Sequence, residues 1–410
     1  MRLVILTQYY PPETGAPQRR LGDLAGRLVA RGHEVHVVTA MPNYPAGRVH
    51  SQWRRRLVGR ERLGGVDVLR SAIYASPVRT TARQLATYFS FAASAAVTAP
   101  ARLRRADVVL WESPPLFLAP TAALLSRRLG ARLVMNVSDL WPRSAVELGV
   151  VEDPRLVAFF ERWERWAYRM ADLVTHQTEG IGAGVEERAP GTARMLFPNG
   201  VDASIFRRVG SDGLRRELGV AGDGPIVGYA GNFGRAQALE QVVEAAAWLP
   251  RVSFVLVGDG PRRAEVEARV VALGLANVVT AASMPAERMP EVLSSFDVGV
   301  VPLADVALFD GARPSKLFEL LAVGAPVVYC GRGEGAALAE ASGGAVVVPP
   351  EDPQTLAAAL GALLAAPVER RREMGEAGRA YVVEHFDRAR IATGVEARLR
   401  ELISGPEKGG

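Results

Sequence analysis

The chain has 410 residues, 49% of them hydrophobic and 23% charged, with a formal net charge of +5. That length exceeds what one hydrophobic core ordinarily supports and predicts two domains of roughly 150 to 200 residues each. The composition excludes a disordered chain and a bundle of membrane helices, and the single cysteine, Cys330, excludes an intramolecular disulfide and a cysteine-based metal site, in keeping with a reducing cytoplasm.

Charge is unevenly divided. Residues 1–200 hold 27 Lys+Arg against 17 Asp+Glu, net +10, and residues 201–410 hold 22 against 27, net −5. A basic first half attracts anions, and phosphates, nucleic acid and an acidic membrane surface all qualify. An arginine-rich composition with no partner is the plain alternative.

From the N-terminus, Met1–Tyr10 offers too short an apolar run before Pro11 and Pro12 for a secretory signal, so the protein is expected in the cytoplasm. Leu3–Thr7 predicts a buried strand, Gln18–Arg31 a helix stopped by Gly32, and Val35–Thr39 the next strand. Between the first strand and helix lies Pro11-Pro12-Glu13-Thr14-Gly15, where Gly15 allows a ligand close to the backbone and the following amides are available to an anion. A turn that only redirects the chain fits equally well. His33 and His36 flank a strand start and are expected to be structural.

Further strands are predicted at Val66–Leu69, Val108–Trp111, Leu133–Val137, Leu173–His176 and Arg194–Phe197. Gln84–Ala101 carries no charge between Arg83 and Arg102 and is just long enough to span a bilayer, but its Ala, Ser and Thr content and Pro100 make insertion weak. A helix packed on the first domain or lying on a membrane surface is expected. Trp53 beside Arg54, Arg55 and Arg56 is a second candidate interfacial anchor, with a solvated basic loop as its alternative.

After Pro198-Asn199-Gly200 a polar, turn-rich stretch running to Pro225 marks the domain boundary. A second strand series follows at Ile226–Ala230, Ser253–Val257, Val278–Ala281, Val298–Val301, Pro326–Tyr329 and Ala345–Val348, with helices between, and a helical stretch from Gln354 to Ile403 ends the pattern. Two successive open α/β sheets with parallel strands place a ligand at the carboxyl ends of the strands, in the cleft between the sheets.

The strongest local signal is Pro314-Ser315-Lys316-Leu317-Phe318-Glu319, leading into a stop at Gly324-Ala325-Pro326. Pro314 opens a helix, Ser315 and Lys316 lie at its positive end, and Glu319 falls one turn on near the same face. A lysine there suits a diphosphate, and Glu319 can accept hydrogen bonds from ribose hydroxyls. Lysine occurs only at 316 and 408 in a chain that otherwise uses arginine, which marks a site wanting a compact point charge.

Gly231-Asn232-Phe233-Gly234-Arg235 follows the first strand of the second series, where a doubly wound sheet holds phosphate, and the Arg235 guanidinium can take two phosphate oxygens. Its glycine spacing fails the dinucleotide fingerprint and argues against a nicotinamide cofactor. Gly258-Asp259-Gly260-Pro261 repeats the arrangement after the next strand and either borders a nucleotide base or is a structural turn. In the first half, Asn136-Val137-Ser138-Asp139-Leu140-Trp141-Pro142 ends a buried strand; Asp139 could take a proton from an acceptor hydroxyl or orient a sugar, Trp141 could stack on a sugar ring, and a helix cap is the alternative. Glu112, Ser113 and Pro114 are similarly placed but weaker. Neither paired aspartates nor a histidine cluster at metal-ligand spacing occurs, so no tightly bound metal or cofactor is expected.

Together, Pro11–Gly15, Arg31-Gly32-His33-Glu34-Val35, Phe197-Pro198-Asn199-Gly200-Val201-Asp202, Gly258–Pro261 and Pro314–Pro326 resemble family 4 of the retaining glycosyltransferases over nearly the whole chain. The resemblance implies the GT-B fold, with two facing Rossmann-like domains: 1–200 binding the acceptor, 201–385 binding the nucleotide-sugar donor, and a final helix near 386–403 packing back on the first. The segments Ser138–Pro142 and Gly231–Gln237 look like the bacterial branch that builds O-antigen, capsule and colanic-acid-type polysaccharides from UDP-sugars, N-acetylated amino sugars included, on polyprenyl-diphosphate-linked or glycan acceptors. It further implies a cytoplasmic protein peripheral to the inner face of the cytoplasmic membrane.

By that resemblance, Gly15, Gly231, Asn232, Arg235, Gly258, Pro314, Ser315, Lys316, Leu317 and Glu319 bind the donor, and Asp139, Arg235 and Lys316 carry the chemistry. Three departures shift that expectation. Family members often carry two glutamates separated by seven residues, and Gly311 stands at the first position here, beside Asp310; Asn232 and Gln237 replace an Arg and a Lys; Ser138 replaces a histidine. Arg235 and Lys316 must then hold more of the diphosphate charge. Two other readings are a UDP-sugar 2-epimerase of the same fold and a basic nucleic-acid-binding protein, the latter lacking aromatic-basic stacking motifs and a reader helix.

Overall fold

The computed structural model describes residues 1–405 except Thr14, Arg79, 148–150, Asp212 and Ala221. The chain divides into two compact units, Met1–Asn199 together with the chain from Ile391 on, and Gly200–Arg390.

The first unit is built on an eight-stranded sheet: β1 Arg2–Leu6, β2 Glu34–Ala40, β3 Val58–Leu63, β4 Val66–Ser71, β5 Val108–Ser113, β6 Arg132–Val137, β7 Leu173–His176 and β8 Arg194–Leu196. Their order is β3-β4-β2-β1-β5-β6-β7-β8. All neighbours are parallel except β3, which runs antiparallel to β4 at the edge. Alternate residues serve opposite faces: Leu3, Ile5, Val108 and Leu110 enter one core, and Val4, Leu6, Val109 and Trp111 the other. Burial on both faces explains why these strands read as continuous apolar runs.

The edge strand β3 was not expected. Its sequence, VGRERL, places charges on a half-exposed ribbon, a common way of blunting a sheet edge, and it leaves no apolar run to read.

The uncharged segment forms the helix Thr81–Thr98, capped by Thr80 and packed into the first core through Phe91, Ala92 and Ala95. Among the described residues no helix is long and apolar enough to cross a membrane. Trp53 is not an interfacial anchor: its side chain is buried, packed where a Cβ on Gly59 would sit, with the Arg70 guanidinium 5.7 Å from its ring centroid. Arg70, itself fully buried, is paired with Glu61 and donates to the Pro11 and Ala40 carbonyls.

The final helix, Arg388–Ser404, contributes Ala392, Val395 and Leu399 to the core of the first unit. Glu396 fastens it, accepting from Arg31 at 2.9 Å, bonded to His33 Nε2 at 2.8 Å, and paired with Arg400 at 3.0 Å. Hydrogen bonds from Arg31 and His33 hold its carboxyl at about 2.

The second unit has a six-stranded, all-parallel sheet of β9 Ile226–Ala230, β10 Ser253–Val257, β11 Val278–Ala281, β12 Val298–Pro302, β13 Val327–Cys330 and β14 Ala345–Val348, ordered β11-β10-β9-β12-β13-β14. Each expected strand of this half is present to within a residue. Its two faces carry separate cores, one centred on Phe296, Leu317 and Phe318, the other on Phe254, Val298 and Leu356. The Phe197–Asp202 motif acquires a local cause here. Gly200 has φ +57°, Val201 pairs with Asp387, and Asp202 accepts from the Ser204 amide at 3.0 Å.

Candidate active site

In the second sheet the winding direction reverses between the adjacent strands β9 and β12. Ligands of open α/β sheets lie beyond the carboxyl ends of the strands at such a point. Gly231 directly follows β9, Gly258 directly follows β10, and the helix Ser315–Ala322 follows β12.

Crowding dictates the two glycines. Gly231 has φ +150°, and a Cβ there would lie 2.8 Å from Lys316 Nζ and closer still to Lys316 Cε. Gly258 has φ +153°, and its Cβ would collide with the Gly231 carbonyl. Both conformations are ones that side-chain-bearing residues rarely adopt. The turns interlock, with the Gly231 amide donating to Val257 at 2.9 Å and the Phe233 amide to Asp259 at 2.9 Å.

Lys316 is the second residue of its helix, with Nζ 5.5 Å from the ring centroid of Tyr229. Tyr229 is fully buried, and burial pushes its phenol far above the ordinary range, so it stays protonated and donates to the Asn232 carbonyl at 2.6 Å. The ammonium is thus held against the Gly231 turn by a ring below it, at a helix end whose dipole also favours anions. Pro314 is the residue just before that helix, with extended backbone, and Ser315 is its first residue. Glu319, one turn beyond Ser315, is partly buried, while the Leu317 side chain is wholly committed to the core. Arg235 is exposed at the start of a short 3-10 turn, Arg235–Gln237, and Asn232 is exposed beside it. Gln237 Oε1 accepts from the Gly234 amide at 3.1 Å, which closes this loop on itself.

The sequence reading missed a third glycine turn, Gly331–Gly335, after β13. A Cβ on Gly333 would strike the Asp310 carbonyl, and one on Gly335 would lie 2.8 Å from the Ala312 carbonyl. Arg313 and Glu334 form an ion pair at 2.8 Å, both largely buried. Residues 310–313 are therefore braced from the turn after the neighbouring strand. Alternating glycines immediately after an apolar run were the available signal.

In the first unit, Asp139 is partly buried, and its Oδ2 accepts from Ser144 Oγ at 2.6 Å. Trp141 packs edge-on to Phe117 at 5.3 Å and against Phe160 at 4.7 Å, which places it in an aromatic cluster. Gly15 caps the helix Ala16–Ala30 with extended backbone, and Glu13 beside it is buried, taking the amides of Asn43 and Tyr44 at 2.8 Å each. Desolvation raises the Glu13 carboxyl above its ordinary value.

A buried polar network lies at the β1/β5 reversal, and its hub, Arg20, was not singled out from sequence. Arg20 and Glu112 are both nearly inaccessible and bond at 3.0 Å and 3.2 Å. Arg20 also donates to Asn199 at 2.6 Å and to Ser138 at 2.9 Å, with the Phe197 ring centroid 5.3 Å away. Asn136 donates to Glu112 at 2.6 Å, and Gln177 donates to Ser138. Ser138 is thereby fixed immediately before Asp139. Among the described residues no cluster of three or more potential ligands for a metal ion occurs.

Two doubly wound sheets in series, parallel but for the edge strand β3, with glycine turns and a lysine-bearing helix at the carboxyl ends of the second, define a GT-B protein. Solved structures agree over nearly full length: sucrose-phosphate synthase from Thermosynechococcus elongatus (TM-score 0.73, 20% identity, 98% of this chain and 100% of that one) and Anabaena HepE in complex with UDP-glucose (TM-score 0.71, 18% identity, 98% and 100%). At those identities the likeness establishes the fold.

Residues 15–200 match the model for a glycosyl transferase 4-like domain and residues 211–381 the model for glycosyl transferases group 1. The chain is 30% identical over 378 residues, 88% of its own length and 91% of the other's, to the Escherichia coli K12 protein WcaI, named for a colanic acid biosynthesis glycosyl transferase. It is 28% identical over 303 residues, 66% and 70% of the two chains, to 2-deoxystreptamine N-acetyl-D-glucosaminyltransferase of Streptomyces fradiae. The chain belongs to the group 1, family 4-like glycosyltransferases, and it is an enzyme of that class.

Proposed function

We propose that the protein transfers a sugar from a UDP-sugar, with the anomeric configuration retained, to a polyprenyl-diphosphate-linked or glycan acceptor in cell-surface polysaccharide synthesis at the inner face of the cytoplasmic membrane. N-acetylated amino sugars are among the donors in this reading. The observation that carries it is the Lys316 ammonium held against the Gly231 turn at the end of the central strand. The near full-length similarity to WcaI supports the polysaccharide context, and the UDP-glucose complex of HepE supports the donor class.

In this reading the second unit takes the donor and the first takes the acceptor. Breaking the bond to the sugar leaves negative charge on the departing diphosphate, and fixed positive groups lower that barrier most. Lys316 supplies a half-buried point charge, the amides of Ser315 and Lys316 supply the helix end, and Arg235 supplies a fork from the exposed turn. Glu319 accepts from the ribose hydroxyls, Gly231 and Gly258 admit the donor close to the backbone, Asn232 and Pro314 shape that wall, and the buried Leu317 anchors the helix from the core. Asp139 orients the acceptor hydroxyl, itself held by Ser144.

The test is a panel of UDP-sugars incubated with lipid-diphosphate acceptors and read by mass. A product heavier by one sugar, with α- or β-configuration matching the donor, is expected. Conversion of the donor to an isomer without acceptor, or no reaction with any UDP-sugar, contradicts the reading.

A further inference from the structure

The helix Pro154–Met170 of the first unit has an outward face unlike that of an ordinary surface helix. Inward, Phe160, Glu164, Ala167 and Tyr168 are buried. Outward, Leu156, Phe159 and Trp166 are 50%, 51% and 44% exposed, and Arg155, Arg162 and Arg169 are exposed among them. Spacings of three residues and of seven, about two helical turns, bring these into two adjacent stripes, one apolar and one cationic.

The acids of the helix are withdrawn from that face. Glu164 is buried and accepts from Tyr168 at 2.7 Å, and Glu161 is paired with Arg188 at 2.9 Å. Among the described residues, no carboxylate forms an ion pair with Arg155, Arg162 or Arg169. Arg162, Arg165 and Arg169 instead rim a shallow hollow of about 470 Å³ with Trp166 and Met170. Beneath that face Trp163 lies 6.0 Å from the buried Phe117, which lies 4.6 Å from Phe89 on a second helix, itself 48% exposed.

The chemistry selects among occupants. Arginine and aromatic rings are enriched in protein interfaces as well, but here the guanidinium groups form a cationic stripe whose neighbouring acids, Glu161 and Glu164, are bonded elsewhere, and such a stripe complements a surface of dense negative charge. A membrane interface accommodates both at once, rings at headgroup depth and guanidinium groups on lipid phosphates. We propose that Pro154–Met170, with Phe89 beside it, is the surface by which this protein rests on an anionic phospholipid bilayer. This deepens the membrane-side reading above and rests on it for the choice of membrane, while the interfacial role moves away from Trp53.

The full chain is sedimented with vesicles of phosphatidylcholine containing about one third phosphatidylglycerol, and with vesicles of phosphatidylcholine alone. Binding to the anionic vesicles that weakens as salt rises from about 0.1 M to about 0.5 M is expected. Arg162→Gln/Arg165→Gln/Arg169→Gln should weaken it about fivefold per arginine, ~10²-fold in all, and Phe159→Ser/Trp166→Ser about tenfold or more. Equal binding to both vesicles, no binding, or unchanged binding by both variants overturns the proposal. So does concentration-dependent self-association abolished by Phe159→Ser/Trp166→Ser without vesicle binding, which would make the face a contact between copies. Circular dichroism and a cooperative urea transition, read separately, show that each variant is folded, and because neither these nor sedimentation needs catalysis or UDP binding, failure here is distinguishable from failure of the transferase reading.

Discussion

Replacing Gly231 by alanine isolates the position of the Lys316 ammonium from its presence. The new Cβ would stand 2.8 Å from Nζ and 3.2 Å from Cδ, with Cε nearer still, so the lysine must leave its place against the turn by about 1.5 Å or more to reach normal contact distances. Lysine is flexible enough for that move, so the clash itself adds little to the folding cost; the φ of +150° adds about 1–3 kcal/mol. Misplacement of a charge by about 1 Å lowers turnover by up to ~10²-fold. The assay is UDP titration by calorimetry together with urea unfolding, with Gly311→Ala as control, since a Cβ at Gly311 meets nothing within 4 Å. UDP affinity should fall at least tenfold for Gly231→Ala and stay unchanged for Gly311→Ala. In the double variant with Lys316→Ala, Gly231→Ala should add almost nothing further. Loss of stability with undiminished UDP affinity would refute the assignment of Lys316 to the diphosphate.

Two further outcomes follow from the first unit. Arg20→Ala leaves the Glu112 carboxylate buried without its partner, and urea unfolding should show a loss of about 3–5 kcal/mol; a loss below about 1 kcal/mol would mean the network carries no such charge pairing. Glu164 is buried, and desolvation raises its carboxyl to about 7. A carboxyl raised in the folded state binds a proton that the unfolded chain releases, so its contribution is complete below about pH 4.5 and is lost as pH rises through about 7. Stability should decline by about 3 kcal/mol over that window, and Glu164→Gln should flatten the decline; a pH profile identical to that of the parent contradicts the shift.

Much of the architecture was legible because both faces of each sheet are buried. Strands such as Leu3–Thr7 and Ile226–Ala230 then stand out as apolar runs, while β3, one-sided and charged at an edge, does not. Glycine turns were legible at Gly231 and Gly258, where glycine follows a strand. Their physical reason, the approach of Lys316 to one and of the Gly231 carbonyl to the other, depends on chain segments far apart in sequence. Arg20 was illegible for the same cause. It is one arginine among many in a basic half, and only folding brings it to Glu112, Ser138 and Asn199. Trp53 misled because an aromatic beside three arginines has the same local pattern whether the ring faces a membrane or, as here, the Arg70 guanidinium inside the fold. The helix Pro154–Met170 shows the converse, since its face of rings and arginines stands out only once Glu161 and Glu164 are seen to turn away from it.

The central claim is that the second unit grips the diphosphate of a nucleotide sugar through Lys316. Calorimetric titration of UDP into the intact protein and into Lys316→Ala tests it most directly. The account predicts saturable 1:1 binding to the intact chain, weakened about 10- to 150-fold by the substitution, the range for a hydrogen bond to a charged group. Equal affinity in the two proteins, or no UDP binding by the intact chain, contradicts it.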